Sequence, residues 1–203
     1  MLELDHLAVA AETLEEGRAY VEDALGVALQ PGGKHAHFST HNLLLGLADG
    51  LYLEVISTDP EAPMPGYPRW FDLDRFTGDP RISNWICRTN DLVAAVARHR
   101  GAGDPVALSR GDLRWQMAVP ADGILPHDGA FPALIEWAGS AHPAQRLDAS
   151  GCRLMRLTIR HPEAEQLRAV LAADLADDRV VIEKGEAAFS AEFTTPAGRR
   201  VLT

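Results

Sequence analysis

Two polar side chains that could serve metal binding or proton transfer stand inside apolar runs in the first quarter of the sequence. In the stretch STHNLLLGLADGLYLEVIS, His41 opens one apolar run and Glu54 interrupts the next. A carboxylate among apolar strand residues needs a partner, because burying an unpaired charge costs several kcal/mol. A metal ion or a histidine would be such a partner, so Glu54 points to a functional site. A plain hydrogen-bonded carboxylate is the alternative.

The elements that must position these residues follow a recognisable order. LDHLAVA, from Leu2 to Ala8, predicts a strand, and Glu12 to Gly26 predicts a helix with a capping box and a glycine stop. Three more strands are predicted, a short one near Val27 and two that begin at His41 and Leu51. Residues 1–58 therefore form a first module with the order strand, helix and three strands.

The same order returns after a Pro- and aromatic-rich connection at residues 59–80, which could be a linker, a lid or a plug over a pocket. Residues 81–138 predict a second complete module, and residues 152–203 predict a strand, a helix and two strands. The expected fold class is α+β, with two paired βαβββ modules and a partial third βαββ module. We expect the third unit to cover a sheet edge or to mediate contacts in a homodimer.

Alignment of the modules identifies the candidate site. Equal spacing from the first helical leucines puts His6 opposite Asn84, and the runs YLEV and LIEW put Glu54 opposite Glu136. Because alternate residues of a strand share a face, His6 is expected in a cleft if the helix packs on Leu7 and Val9. The same rule places Tyr52 beside Glu54 as a substrate contact.

Three further side chains complete the predicted cleft. Arg88 shares a face with Asn84, and both could contact substrate, Arg88 by clamping a carboxylate. His41 could compensate for the short Asn84 as a metal ligand, although capping within its own loop is an equal alternative. The pair His35 and His37 is a weaker metal candidate, because no carboxylate stands near it in the sequence.

Composition excludes several classes of function. The 203 residues carry a net charge of −10 without a basic cluster, so neither nucleic acid nor an anionic membrane is an expected partner. Cys87 and Cys152 lie in apolar runs and predict buried thiols in a reducing cytoplasm. We see no secretory signal and no apolar run of about 18 residues that would span a membrane. A small molecule in the cytoplasm is the expected partner.

The motifs LDHLAVA, PGG, THNLLLGL, YLEVI and LIEW resemble the glyoxalase-like domain proteins of the vicinal oxygen chelate superfamily over roughly residues 1–140. The resemblance implies two half-barrels around a divalent metal ion, with Zn²⁺, Ni²⁺, Mn²⁺ or Fe²⁺ as candidates. It implies a lyase or isomerase in which the metal polarises a carbonyl oxygen and Glu136 is the base. His6, Glu54, His41 and Glu136 are the expected ligands. A metal-free protein that binds or sequesters a small molecule in the same cleft is the alternative.

Overall fold

The computed structural model describes residues 1–203, which form twelve strands and three helices. The helices are α1 (Leu14–Leu25), α2 (Leu92–Arg98) and α3 (Ala164–Leu171). The strands are β1 (Glu3–Ala10), β2 (Gln30–His35), β3 (Thr40–Leu47), β4 (Tyr52–Thr58), β5 (Arg81–Arg88), β6 (Asp104–Arg110), β7 (Leu113–Val119), β8 (Ala133–Trp137), β9 (Ala149–His161), β10 (Val180–Lys184), β11 (Ala188–Thr195) and β12 (Gly198–Leu202). None of the helices is both long and apolar enough to cross a membrane.

The two predicted βαβββ modules are joined through their first strands. Along the main path the strands follow the order β12-β11-β9-β3-β4-β1-β5-β8-β7-β6. Within each module the first strand runs parallel to the fourth, while β1 and β5 pair antiparallel to each other. The first strands of both modules therefore lie at the centre, and residues on them can face a shared cleft.

Local sequence signals form helix α1 as expected. The Thr13 hydroxyl accepts from the Glu16 backbone N–H and the Glu16 carboxylate accepts from the Thr13 backbone N–H, which is the predicted capping box. Gly26 ends the helix at φ 71°, in the left-handed region that glycine adopts readily. Helix α2 begins after Asp91, whose carboxylate accepts from the Ala94 N–H. These caps fix where the helical layer meets the sheet.

Two apolar layers lie on opposite faces of the sheet. The larger layer packs under the helices and includes Leu7, Val9, Leu53 and Val55. The smaller layer lies on the cleft side, where Ala8 and Ile56 meet aromatic residues of the connection at residues 59–80. Strand alternation sorts the side chains of β1 and β4 between these layers, with one irregularity in β1.

That irregularity is a β-bulge at the start of β1. The pairing of β1 with β5 shifts register between Leu4 and His6. Leu4 consequently packs with the helical layer, although strict alternation along the strand would place it on the face of His6. The extra residue turns both Asp5 and His6 toward the cleft side, where their side chains contact each other.

The third unit contains one strand more than the predicted βαββ order. Helix α3 is followed by three strands, and β12 pairs antiparallel with β11. Its sheet order differs from that of the modules, because β9 lies between β10 and β11. The start of β9 pairs with β3, so this unit covers an edge of the first module. Both cysteines are buried free thiols, as expected.

Candidate active site

A buried pair of a histidine and a carboxylate lies at the centre of the cleft. His6 and Glu54 are 3% and 5% exposed, and His6 Nε2 lies 3.6 Å from Glu54 Oε2. The Tyr52 ring stacks on the imidazole of His6 at a centroid distance of 4.2 Å. Strands β1 and β4 place these groups side by side, because His6 pairs with Tyr52 and Ala8 with Glu54. The side chains of His6, Tyr52 and Glu54 therefore lie together in the cleft.

Asp5 holds the other side of the His6 ring. His6 Nδ1 donates to Asp5 Oδ1 at 2.6 Å, and Asp5 Oδ2 accepts from His142 Nε2 at 2.9 Å and from Trp137 Nε1 at 3.1 Å. A carboxylate on Nδ1 fixes the ring and directs Nε2 at its target, as in many metal-binding histidines. Burial raises the pKa of Asp5, but the hydrogen bonds from His142 and His6 outweigh it and lower that pKa overall.

The charges of the central pair stabilise each other. Burial alone would raise the pKa of Glu54, but the hydrogen bond and charge of His6 lower that pKa to about 2. Burial would likewise lower the pKa of His6, yet its bonds to Asp5 and Glu54 raise the pKa above its ordinary value. The two neighbouring carboxylates therefore favour the protonated form of His6.

His35 reaches the same cluster from β2 and remains neutral. Its Nδ1 lies 3.0 Å from the Thr40 hydroxyl, and its Nε2 lies 3.3 Å from Arg110 Nη1. Burial lowers the pKa of His35 to about 4, and the positive charge of Arg110 contributes in the same direction, against the opposing effect of Glu54. At neutral pH the ring therefore offers an unprotonated nitrogen.

Asn42 links the groups of the cluster. Its Nδ2 donates to Glu54 Oε1 at 2.6 Å, and its Oδ1 accepts from Arg110 Nη1 at 2.9 Å and from the Gly33 N–H at 2.7 Å. A Cβ on Gly32 would lie 2.0 Å from Asn42 Oδ1, so β2 can approach β3 this closely only with glycine there. The Gly-Gly pair next to β3 is thus the sequence signal for this contact.

The profile of the glyoxalase-like domain family matches residues 4–175, which include every strand and helix that builds this cluster. The chain belongs to this family. It is a glyoxalase-like protein with the fold of the vicinal oxygen chelate superfamily, as its motifs predict.

A solved structure shows the same fold. A hypothetical protein from Staphylococcus aureus is 14% identical and superposes with a TM-score of 0.63, covering 93% of this chain and 88% of that one. Methylmalonyl-CoA epimerase from Mycobacterium tuberculosis is 21% identical, with a TM-score of 0.44 over 68% of this chain and 88% of that one. A Bacillus halodurans hypothetical protein, BH1468, is 14% identical, with a TM-score of 0.44 over 70% of this chain and 96% of its own. The last two overlaps are too slight to support conclusions about chemistry. No curated protein matches the chain.

Glu136 does not enter the cleft, so the prediction that it lies there is wrong. Its Oε2 accepts from the backbone N–H of Leu92 at 2.7 Å, at the start of α2 on the helical side. The pairing register is the reason. Ala8 pairs with Glu54, but the equivalent Ile86 pairs with Ala133, so Ala133 occupies the place of Glu54. Glu136 lies three positions further on, an odd number, and an odd step along a strand reaches the opposite face.

Three other predicted site residues also lie outside the cluster. His41 shares its strand face with Leu43 and Leu45 of the helical layer, so its ring points away from Glu54. Arg88 donates to Glu3 Oε2 at 2.9 Å and lies 3.8 Å from Asp5, behind the bulge. Asn84 lines a separate cavity. The structure therefore corrects the prediction that these three side chains lie beside Glu54.

The sequence reasoning missed four residues of the cluster, namely Asp5, His35, Asn42 and Arg110. Asp5 was hidden by the bulge, and Arg110 comes from the far end of β6 with no local signal. His35 was considered only together with His37, but His37 stacks on Tyr67 at the surface. Register shifts in β1 and β2 bring Asp5 and His35 inward, and such shifts have no pattern in the residue types.

A second group of metal-binding side chains lies near the third unit. Donor atoms of His127, His161 and Glu163 fall within 4.8 Å of one another. They are already paired, since His127 Nδ1 lies 2.9 Å from Glu163 Oε2 and His161 Nδ1 accepts from the Glu163 N–H at 3.1 Å. A nitrogen that accepts this bond leaves the ring proton on Nε2, which opposes metal binding there.

The donors of the cleft fit a divalent ion in part. Ligand atoms around one Zn²⁺ lie roughly 3.3 Å apart, close to the 3.6 Å between His6 Nε2 and Glu54 Oε2. Each side chain also has a hydrogen bond on its other polar atom, His6 to Asp5 and Glu54 from Asn42. His35 fits less well, because the guanidinium of Arg110 faces its Nε2. The donor set thus offers two ligands and one neutral imidazole next to a positive charge.

Proposed function

We propose that the protein is an isomerase or lyase that moves a proton on the carbon next to a carbonyl group. The observation that carries this proposal is the buried pair of His6 and Glu54, held in place by Asp5 and Asn42. Perturbed ionisable groups that converge in a cleft are typical of catalytic sites. The family match supports the fold of such an enzyme, and the chemistry is our inference.

In this proposal His6 and Glu54 hold a divalent metal ion such as Zn²⁺, Ni²⁺, Mn²⁺ or Fe²⁺. The ion, when bound, would supply Lewis acidity toward a carbonyl oxygen. Asp5 keeps His6 Nε2 directed at the ion, and Asn42 keeps the carboxylate of Glu54 in place. These two supports limit the motion of both ligands, which favours binding.

His35 takes the role of the proton acceptor, which the sequence had suggested for Glu136. Its ring is neutral at physiological pH and its Nε2 faces the cluster. A base with a pKa of about 4 is weak, so it acts only on a carbon acid whose oxyanion is stabilised. The guanidinium of Arg110, 3.3 Å from Nε2, can donate to that oxyanion.

Substrate entry requires part of the cleft wall to move. The space beside His6 and Glu54 is about 20 Å³, room for roughly one water molecule. Trp70 and Phe71, from the connection at residues 59–80, close it on one side. We assign this turn the role of a lid, because small substrates need a larger volume.

A metal-free binding protein is the second candidate. The contacts that favour it are those of Asn42 and Arg110, which already supply hydrogen-bond donors to Glu54 and His35. In this case the imidazolium of His6 takes the place of a cation between Asp5 and Glu54. The cleft would then recognise a small polar ligand without transforming it.

Metal content and proton exchange together test the proposal. Elemental analysis of purified wild type should give about one divalent ion per chain, with that ion lost in His6→Ala and Glu54→Gln. His41→Ala and His127→Ala should retain it, because these rings lie outside the cleft. In D₂O, NMR should detect exchange of the proton next to the carbonyl in a panel of small α-hydroxy ketones and aldehydes.

The His35→Gln variant separates the two roles within the cleft. It should keep the metal and lose proton exchange by at least about a hundredfold, the usual contribution of a general base. Wild type without metal or exchange would contradict the enzyme and leave the binding protein as the function. Equal metal loss in His127→Ala would instead place the ion at the second group of side chains.

A further inference from the structure

The loop between β8 and β9 brings a histidine to the surroundings of His6 that the proposed mechanism does not use. Residues 138–148 connect the second module to the third unit, and the side chain of His142 in this loop is 12% exposed. Its ring lies 5.7 Å, between centroids, from the Tyr52 ring that stacks on His6. His142 therefore packs beside the groups that surround His6.

Local contacts limit the motion of this loop. His142 is extended, with φ −140° and ψ 142°, as a residue before proline usually is. A short 3₁₀ turn, Pro143–Gln145, follows it. Arg146 then forms a two-point ion pair with Asp112, between β6 and β7, with both contacts at 2.6 Å. The loop is thus attached on both sides of the turn.

The hydrogen bonds of His142 determine which of its nitrogens carries the proton. Its Nδ1 accepts from the Ala144 backbone N–H at 3.2 Å, so the proton of the neutral ring lies on Nε2. Nε2 is 2.9 Å from Asp5 Oδ2 and donates to it. His142 is therefore a donor to Asp5, and neither of its nitrogens is free for a substrate.

Asp5 accepts two ring N–H groups on the oxygen that does not face His6. Trp137 Nε1 donates to Oδ2 at 3.1 Å beside His142 Nε2, while Oδ1 accepts from His6 Nδ1 at 2.6 Å. Arg88 Nη1 is 3.8 Å from Oδ2, too far for a hydrogen bond. The two donors limit rotation of the carboxylate, because rotation would break both bonds.

Water has no access to Asp5 in the folded protein. Its side chain is 0% exposed, so an oxygen that lost these donors would remain unpaired. We propose that His142 and Trp137 are positioning residues, which hold Asp5 so that it keeps the Nδ1–H of His6 and directs Nε2 at Glu54. This inference rests on the proposed function of His6, and it makes the loop after β8 part of that site.

NMR of the metal-free protein tests the proposal through the Nδ1 proton of His6. A proton shared with a carboxylate across 2.6 Å is expected far downfield of the backbone amide protons, and its absence in His6→Gln assigns the signal. His142→Leu should shift this signal upfield or broaden it by exchange, because Asp5 loses a donor. His142→Gln should keep the signal, since the glutamine amide can donate in place of Nε2.

This pair of variants separates a hydrogen bond from packing, because leucine and glutamine have similar volumes. A signal that is unchanged in His142→Leu, or lost equally in both variants, would overturn the role of His142. Trp137→Phe removes the indole N–H and should also shift the signal, and it decides the question if His142→Leu does not fold. An unchanged signal in Trp137→Phe would overturn the role of Trp137.

Two control variants remove similar hydrogen bonds elsewhere. His99→Leu removes the contact of a buried histidine with Asp174, and Trp85→Phe removes an indole bond to the Ala130 backbone oxygen. Both should leave the His6 signal unchanged. An equal shift in the controls would show a general effect of lost stability and contradict the positioning role.

Metal affinity is the second measurement. In competition with a chelating indicator, Zn²⁺ should bind about tenfold more weakly to His142→Leu than to wild type, at the lower end of what removing support from a metal-binding histidine costs. His142→Gln should bind Zn²⁺ like wild type. Unchanged affinity in His142→Leu would overturn the role of His142 in metal binding. A wild type that binds no Zn²⁺ would contradict the proposed function, and the NMR comparison would still decide whether His142 and Trp137 position Asp5.

Discussion

At the residue scale, two buried histidines that line the same cleft differ in the protonation state that their neighbours favour. The carboxylates of Asp5 and Glu54 favour the protonated form of His6, whereas burial and the charge of Arg110 favour the neutral form of His35. Both rings are almost fully buried, so their partners decide the outcome. In the proposed function, a metal ion replaces the proton on Nε2 of His6, and the neutral ring of His35 accepts a proton.

The low pKa of His35 makes stability depend on pH. Its pKa is about 4 in the folded state and 6.5 in an ordinary environment. As the pH falls from 6.5 toward 4, the unfolded chain takes up a proton that the folded chain refuses. The contribution of His35 to the free energy of unfolding is therefore fully present above pH 6.5. On acidification this contribution, up to roughly 3 kcal/mol, is lost.

Urea unfolding of wild type and His35→Gln across this range measures the effect. The variant should have a flatter dependence on pH between about 5.5 and 6.5, where carboxylates with the ordinary pKa of 4.5 are largely ionised. His37→Gln, at the surface, should keep the slope of wild type. Identical slopes in wild type and His35→Gln would show that His35 is not held neutral by the fold.

At the element scale, helix α1 packs so closely on β4 that one position accepts no side chain. A Cβ on Gly17 would lie 2.4 Å from Val55 Cγ1 and 2.9 Å from the Ala11 Cβ. In a free helix, alanine is better than glycine by about 1 kcal/mol. Here the clash must move the helix or the strand, so packing and propensity have opposite effects.

We expect Gly17→Ala to lower the free energy of unfolding by about 1–3 kcal/mol, the usual cost of overpacking. Arg18→Ala, at the next and exposed position of α1, should change it by less than about 0.5 kcal/mol. Chemical denaturation of both variants checks this. A stabilised Gly17→Ala would mean that α1 lies further from β4 than the structure has it.

Sequence patterns predicted the elements well and their irregularities poorly. The Thr13–Glu16 cap and Gly26 are local, so the residues themselves carry the signal. The bulge at Asp5 and the register of β8 are set by pairing with distant strands, and no local pattern reports them. His6 and Glu54 were identified because β1 and β4 are regular beyond the bulge. Glu136 was misplaced for the opposite reason.

At the scale of the whole molecule, the third unit shares its core with the two modules. One apolar layer runs from Leu7 and Trp85 to Leu157 and Phe193 without a break. The Tyr20 hydroxyl of α1 also donates to the backbone oxygen of Thr203. We therefore expect the chain to unfold as one cooperative unit.

Phe193→Ala tests this expectation. The ring is fully buried, so its loss should cost about 3–5 kcal/mol. All four tryptophans lie before β9, and their fluorescence reports only the two modules. The fluorescence midpoint in urea should fall together with the circular dichroism midpoint, whereas Val201→Ala, at an exposed site of β12, should shift neither. A fluorescence midpoint that stays at the wild-type value would make the third unit an independent domain.

The unequal strand pairing of the two modules bears on how duplicated proteins diverge. β1 meets β4 with Ala8 beside Glu54, while β5 meets β8 with Ile86 beside Ala133. Insertion or deletion of one residue in the connecting segment shifts the pairing register and exchanges the inner and outer faces of the strand. A duplicated half can therefore lose the carboxylate in its cleft without any amino-acid replacement. Similar motifs such as YLEV and LIEW can then persist in both halves while one glutamate lies in the cleft beside His6 and the other accepts from the N–H that begins a helix.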